Sequence, residues 1–393
     1  MEVFESIRWK FNNANGIDKA AVRTQLIEEV KAFWEAFVEH QEGILSSFTP
    51  EPSLDIVSFM GFYLQSIHPQ ISWEFGPGID GKELRLVMTP EENASLRPFV
   101  DYIISVAPEM EKWEFYNRRP SENLENTRLL VEAKTGSVLE PMKFSGSIND
   151  ANEIDLVFVG DEVKDEDDVD FILNQAFVVA ECMLGEEIMD KWIGFIDSAS
   201  SVDPEIQLQD ITSIPAFVNG LIKQVQAQQP SFENKEALKY IDYNLEPKDF
   251  ADYPGQGDLI TTSTAYPQMW ENAHNGESFY SARYANEGLF AYLKIANDNL
   301  GDFNNGSEIS ELIDVQLRTA GKGASIGVGI GKKYTYIDLF IKDVSAMEII
   351  NPLLIAKQIG AKAWLQFYDS EWREEWIGVH PESPQPYLPS DLF

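Results

Sequence analysis

Residues 321–341 read GKGASIGVGIGKKYTYIDLFI, and no other stretch restricts the fold as tightly. Ile326, Val328 and Ile330 alternate with Gly327, Gly329 and Gly331. This is the two-residue period of a strand with one aliphatic face and one bare face. A second strand, YTYIDLFI, rich in β-branched and aromatic residues, follows at once. Strands joined this tightly pair antiparallel. The spacing predicts a two-residue type II′ turn at Gly331-Lys332, because that turn takes glycine first. In that register Gly329 faces Tyr334, Gly327 faces Tyr336, Val328 faces Thr335 and Ile326 faces Ile337, with the rings lying over the bare glycines. Gly321 then ends a preceding helix.

The glycines also invite a phosphate-loop reading, which the spacing excludes. Gly327 and Gly331 enclose three residues where a Walker loop needs four, and Lys332 is followed by Lys333 rather than Ser or Thr. Ile326 stands where a dinucleotide fingerprint needs its third glycine. A helix precedes and a strand follows, the reverse of an order that aims a helix N-terminus at a phosphate.

Elsewhere helices and hairpins mix without βαβ alternation, which predicts an α+β fold. Val22, Leu26, Val30, Phe33, Trp34 and Phe37 space a helix over 18–46 with Asp18 as N-cap. A second helix, 54–67, is apolar on most sides and expected to be buried. ISWEF and KELRLVM alternate as a hairpin around GPGIDG, placing Trp73, Phe75, Leu86 and Met88 on one face. After a helix through Phe99 and Ile103, KWEFY forms a third strand. Further on come a helix from Ser121 to Gly136, a strand pair (MKFSGSI, EIDLVFV), one long helix over 166–191 and a strand WIGFID. The second half predicts strands at 258–265, 278–284 and 288–296, helices at 307–320 and 345–359, and a strand KAWLQFY. The expected division is an N-terminal α+β domain, 1–200, a helical connector, 201–234, and a C-terminal α+β domain, 235–393, each domain a mainly antiparallel sheet covered by helices.

The chain carries 65 acidic residues against 30 Lys and Arg, a net charge of −35. The excess divides as −22 over 1–200 and −13 over 201–393, so it is not a tail. Such a charge repels nucleic acid and anionic membrane. Cys182 is the sole cysteine and sits in an apolar helical run, as a small buried residue would. No basic-then-apolar leader and no run long enough to span a bilayer is seen, so the expected setting is cytoplasmic. Four histidines without helical metal spacing, and no HExxH or CxxC, predict neither a metal site nor a cofactor. The acidic run 160–171 lacks the glycine and spacing of a calcium loop and reads as the first turn of a helix.

Three groups carry candidate chemistry. Arg118 and Arg119, ahead of a helix, are a candidate anion site or pair with carboxylates. Trp372 and Trp376 have the spacing of one helix face; with Trp270, Glu374 and Glu375 they compose a candidate aromatic, acid-rimmed patch for a basic protein. Glu181, Glu186 and Asp190 are the candidate carboxylates of an enzyme cleft.

FWEAF, WEFGPG, WEFYNRRP, LGEE and GIGKKYTYIDLFI together resemble a group of uncharacterised, acidic, cytoplasmic bacterial proteins, a group that supplies no activity for any residue here. The acidic α+β second half resembles, in fold and charge, small protein inhibitors of nucleases. The leading expectation is therefore an acidic protein-binding module, in its most concrete form an immunity or inhibitor protein against a basic, nuclease-type toxin. An enzyme using cleft carboxylates and a structural protein without a tight ligand are the alternatives.

Overall fold

The computed structural model describes residues 19–160, 166–201, 203, 205–229, 238–247, 253–276 and 278–387. Asp18 and much of the acidic run at 160–171 lie outside them. The chain divides into two compact units, 1–118 with 371–377, and 119–370 with 378–393.

In the first unit, α1 (Lys19–Glu39), α2 (Gln41–Ser46) and α3 (Ile56–Ile67) precede β1 (Ser72–Pro77), β2 (Leu84–Thr89), α4 (Arg97–Ser105) and β3 (Trp113–Tyr116). The sheet order is β1-β2-β3, antiparallel then parallel. Trp73 pairs with Met88 and Phe75 with Leu86, the face the alternation predicted. Val30, Phe33, Trp34 and Phe37 recur every three or four residues, so α1 buries one stripe. That stripe packs edge-on against β3, with Trp34 4.8 Å from Phe115 and Phe37 5.0 Å from Trp113, centroid to centroid. The hairpin turn is held by one carboxylate: Glu114 accepts from the backbone N–H of Ile79 (2.7 Å), Asp80 (2.8 Å) and Lys82 (3.1 Å). The α3 expectation needs correction. Met60, Leu64 and Ile67 are buried, but Val57 and Phe62 stand 67% and 70% exposed, because α3 packs along a single stripe.

The second unit opens with α5 (Leu124–Thr135), capped by Asn123, whose side chain accepts from Asn126 N–H (2.9 Å), rather than by Ser121. Gly136, left-handed at φ 73°, ends it as expected. β4 (Met142–Ile148) and β5 (Ile154–Gly160) pair antiparallel. The expected single helix is two, α6 (Glu166–Leu184) and α7 (Glu186–Trp192), broken at Gly185. Gly185 has φ 76°, and a Cβ there would stand 2.8 Å from Ser121 N. β6 (Ile193–Ser198) and β7 (Gln209–Asp210) complete a sheet ordered β6-β5-β4-β7. The helix inside the expected connector, α8 (Ile214–Ala227), adds Ile214, Val218, Ile222 and Val225 to the core formed by Phe144, Leu156, Phe158 and Val179.

A larger sheet uses β8 (Ile241–Asn244), β9 (Leu259–Thr264), β10 (Leu289–Ala296), β11 (Gly323–Gly331), β12 (Tyr334–Ile341) and β13 (Ala363–Phe367). Its order is β13-β10-β12-β11-β9-β8, each pair antiparallel. Three helices accompany it, α9 (Pro267–Asn275), α10 (Gly306–Ala320) and α11 (Met347–Ala356). The molecule is α+β. Asn305 caps α10 and Gly321, at φ 63°, ends it. Gly306 on α10 approaches Val328, Thr335 and Ile337, so that helix covers the aliphatic face of β11 and β12. The expected strand at 278–284 is absent; its place holds a 3-10 turn, Ser281–Arg283. There the backbone is satisfied by side chains instead of a neighbouring strand: Ser281 N–H donates to Asp369 (2.8 Å), and Phe290 N–H donates to Ser281 Oγ (2.8 Å).

The glycine hairpin forms, two residues out of the predicted register. Gly329 faces Tyr336, Val328 faces Ile337 and Gly327 faces Asp338. From Gly327 to Ile330 a shift of two preserves the face of each side chain and changes only its partner; a β-bulge between Ser325 and Gly327 leaves Ile326 without the expected partner Ile337.

Candidate functional site

The bare face of β11 is where the interior stops resembling an oily core. Across the sheet, one row reads Gly327, Asp338, Tyr292, Gln366, and the next Gly329, Tyr336, Lys294, Trp364. Asp338, Gln366, Lys294 and Tyr336 are all buried. Rings do not lie over the glycines. A Cβ at position 331 would stand 2.4 Å from an oxygen of Asp258, and one at 327 would stand 2.7 Å from Oδ2 of Asp338. At 329 the nearest atom belongs to Leu259. Two of the three glycines are bare because the chain's own carboxylates occupy the space.

Asp258 explains the register. Its carboxylate accepts from Lys333 N–H (2.6 Å), Tyr334 N–H (3.1 Å) and the Tyr336 hydroxyl, and its carbonyl accepts from Lys332 N–H (3.1 Å). These contacts centre the turn on Lys332-Lys333 and leave Gly331 in the strand. The turn does gather an anion with backbone N–H groups, as concave backbone nests do, but the anion is internal. Burial, then the Asp258 charge, raises the Tyr336 hydroxyl well above its ordinary value. Lys294 donates to the Tyr253 carbonyl and lies 4.2 Å from the Tyr334 ring centroid.

Asp338 anchors the second cluster. Its Oδ1 accepts from the Tyr368 hydroxyl (2.7 Å) and Gln256 Nε2 (2.8 Å). The other end of that amide meets His274: Gln256 Oε1 lies 2.8 Å from Nε2, and His274 Nδ1 lies 2.8 Å from the Trp270 carbonyl. In this orientation both ring nitrogens face acceptors, an arrangement only a cationic ring satisfies, and Asp338 Oδ1 accepts twice, as an ionised carboxylate does. Burial opposes that charge separation: it lowers His274 to about 4 and raises Asp338. Turning over the isosteric amide resolves the conflict. Gln256 then donates to neutral His274 and accepts from protonated Asp338. The amide orientation therefore decides whether the ring or the carboxyl carries the second proton. Among the described residues, Asp338 Oδ2 and both ends of the Gln366 amide are buried without a hydrogen-bond partner.

The residues of the candidate partner patch differ in burial. Trp270 is buried, stacked on His274 (3.9 Å) and Tyr243 (4.8 Å). Trp376 and Glu375 are also buried, while Trp372 and Glu374 are half-buried. Trp372 and Trp376 do not share a helix face: Ser370–Trp372 is a 3-10 turn closed by Glu375 N–H on the Trp372 carbonyl (2.9 Å), and Trp376–Gly378 is extended. Arg118 pairs with Glu371 (2.7 Å) and Asp101 (3.7 Å). Arg119 lies 3.8 Å from Glu181, and its backbone N–H donates to Glu186 (2.8 Å). The anion at this arginine pair is again a set of internal carboxylates. Glu181 also holds Lys134 (2.8 Å), so the candidate cleft carboxylates Glu181 and Glu186 have structural partners; Asp190 is engaged as well.

Sequence reasoning missed Asp258, Asp338, Gln256, His274 and Tyr368. One signal was available: Asp338 is a lone carboxylate inside YTYIDLFI, on the face shared with the glycines. Among the described residues, no three His, Cys, Asp or Glu are grouped to hold a metal ion, and no helix is long and apolar enough to cross a membrane. Among the described residues, the buried Arg, Lys, Asp and Glu side chains comprise four cations (Arg85, Arg97, Arg283, Lys294) and seven carboxylates. The described cores therefore hold little of the −35.

No protein family, no curated protein and no solved structure matches this chain.

Proposed function

We propose that this chain is an acidic binding protein that engages a basic protein, in its most concrete form an immunity or inhibitor protein against a nuclease-type toxin. The observation that carries the reading is where the charge resides. The best-placed cations are spent internally, Arg118 on Glu371, Arg119 on Glu181, Arg283 on Glu153 and Arg318 on Asp314. The exterior keeps a large one-signed excess. Such a surface accelerates encounter with a basic partner and mimics the phosphates that a nuclease grips. Trp270 and Trp376 are buried and are left out of the proposed contact surface. Affinity capture from the native host tests the reading. A basic protein is expected among the captured species; recovery of none overturns it.

A catalytic reading has one specific support, the buried Asp338 with its raised pKa and unpartnered Oδ2. It predicts a small molecule that Asp338→Asn ceases to turn over while the fold is retained.

A further inference from the structure

We infer that the groove between α1 and the α4 wall of the first unit is the seat for a basic amphipathic helix of the partner; this rests on the binding reading above. The groove has a volume of about 500 Å³. Ile27, Trp34 and Val38 line one side, and Tyr102, Val106 and Pro108 the other. The walls are held in place. Trp34 is buried and its indole N–H donates to the Ile103 carbonyl (2.9 Å), tying α1 to α4. The lining nevertheless reaches solvent: Ile27, Val38 and Val106 are 36%, 40% and 39% exposed. Aliphatic side chains on a fixed concave surface are suited to receiving apolar side chains from outside.

The dimensions fit a helix. Ile27 and Val38 lie eleven residue steps apart on α1, or about 16 Å at ~1.5 Å per residue, close to three turns. A ligand helix laid along it presents side chains at i, i+3, i+4 and i+7 to the floor.

Charge selects the sign of that helix. Residues 27–42 contain Glu28, Glu29, Glu35, Glu39 and Glu42 against Lys31 alone. Glu28, Glu35 and Glu39 recur at seven and four residues, so they form a stripe beside the groove. Lys31 lies 3.7 Å from Glu35, so that pair offsets itself and Glu28 and Glu39 carry the uncompensated charge of the stripe. The opposite wall, 101–111, has Asp101, Glu109 and Glu111 and no Lys or Arg. Asp101 is occupied by Arg118 and Asn117, which leaves Glu109 and Glu111, both exposed, on that rim. An apolar floor between acidic rims matches a helix with a Leu-type stripe flanked by Lys and Arg, and repels its acidic counterpart.

The test uses the full chain and a synthetic, labelled eighteen-residue helix with leucines at i, i+3, i+4 and i+7 and lysines elsewhere, read by fluorescence anisotropy. Wild type binds it. Val38→Gln and Val106→Gln each weaken binding at least tenfold. Glu28→Lys with Glu35→Lys weakens it and flattens its salt dependence. Val57→Gln, on the exposed side of α3, leaves binding unchanged. Circular dichroism verifies that each variant folds. The inference is overturned if wild type fails to bind, if the groove variants bind like wild type, or if the glutamate version of the helix binds equally well. Capture of a basic host protein that the groove variants retain removes this seat and leaves the binding reading intact. Capture of no basic protein by wild type removes the binding reading itself.

Discussion

If Gly331 is glycine because the Asp258 carboxylate fills its side-chain space, then substitutions at the two positions must be strongly non-additive. In Gly331→Ala the new Cβ stands 2.4–2.5 Å from three atoms, all of them in the Asp258 side chain. Gly331 is not among the residues of positive φ, so the backbone accepts alanine, and alanine alone would favour a strand by about 0.5–1 kcal/mol. The carboxylate must therefore move, losing its bonds from Lys333 N–H, Tyr334 N–H and Tyr336 Oη. Bonds to a charged acceptor contribute about 1.5–3 kcal/mol each and do not add fully, which puts Gly331→Ala at ~3 kcal/mol. Asp258→Ala loses the same bonds outright and costs ~4 kcal/mol. In the double variant the clash has no second partner, so it also costs ~4 kcal/mol rather than ~7, a coupling of about 3 kcal/mol. Urea titration gives the three values, and hydrogen exchange of the β11 and β12 amides shows whether the loss is local. Additivity within about 0.5 kcal/mol, or a neutral Gly331→Ala, refutes the reasoning.

Two pH effects of opposite sign are expected near Gln256. His274 has a folded value of about 4 against an ordinary 6.5, so the unfolded chain takes up its proton first as pH falls. The stability it contributes is full above pH 6.5 and lost as pH falls toward 4, by about 2 kcal/mol between pH 7 and pH 5. Asp338 is raised, so its contribution is full at low pH and lost as pH rises through its folded value. In an Asp338→Asn background, urea midpoints at pH 7 and 5 should isolate the His274 slope, and adding His274→Gln should remove it. Glu114→Ala should cost about 2–3 kcal/mol, because three backbone N–H groups lose one acceptor, with lost protection at Ile79, Asp80 and Lys82 as the local readout. Burial pushes Glu114 up, but the bonds from Ile79, Lys82 and Asp80 outweigh it and leave the carboxyl below 4.5, so its stabilisation is present above that value and fades as acid protonates the folded form. Phe37→Ala, which empties a fully buried position against Trp113, should cost ~3–5 kcal/mol by thermal or urea unfolding.

What the sequence made legible was local. The period of two assigned the correct faces of β1, β2, β11 and β12, and Gly136 and Gly321 marked helix ends because left-handed backbone needs glycine there. The register of the hairpin was not local. It is set by Asp258, about seventy-five residues before the turn it grips, and no reading of Gly331-Lys332 alone contains that contact. The break at Gly185 has the same cause, since the constraint comes from the approach of residues 119–121. Trp372 and Trp376 show the converse error. A four-residue spacing satisfies a helix, yet a 3-10 turn followed by an extended segment satisfies it as well. The polar face around Asp338 was hidden because its members, from 256 to 368, come together only when the sheet closes.

The central claim, that the acidic exterior binds a basic protein, is tested most directly by the dissociation constant of the captured pair as a function of salt. Raising salt from about 0.1 M to about 1 M shortens the Debye length from ~10 Å to ~3 Å. Affinity is expected to fall steeply across that range, mainly through slower association. An affinity that holds level across it, or a partner that is itself acidic, contradicts the claim.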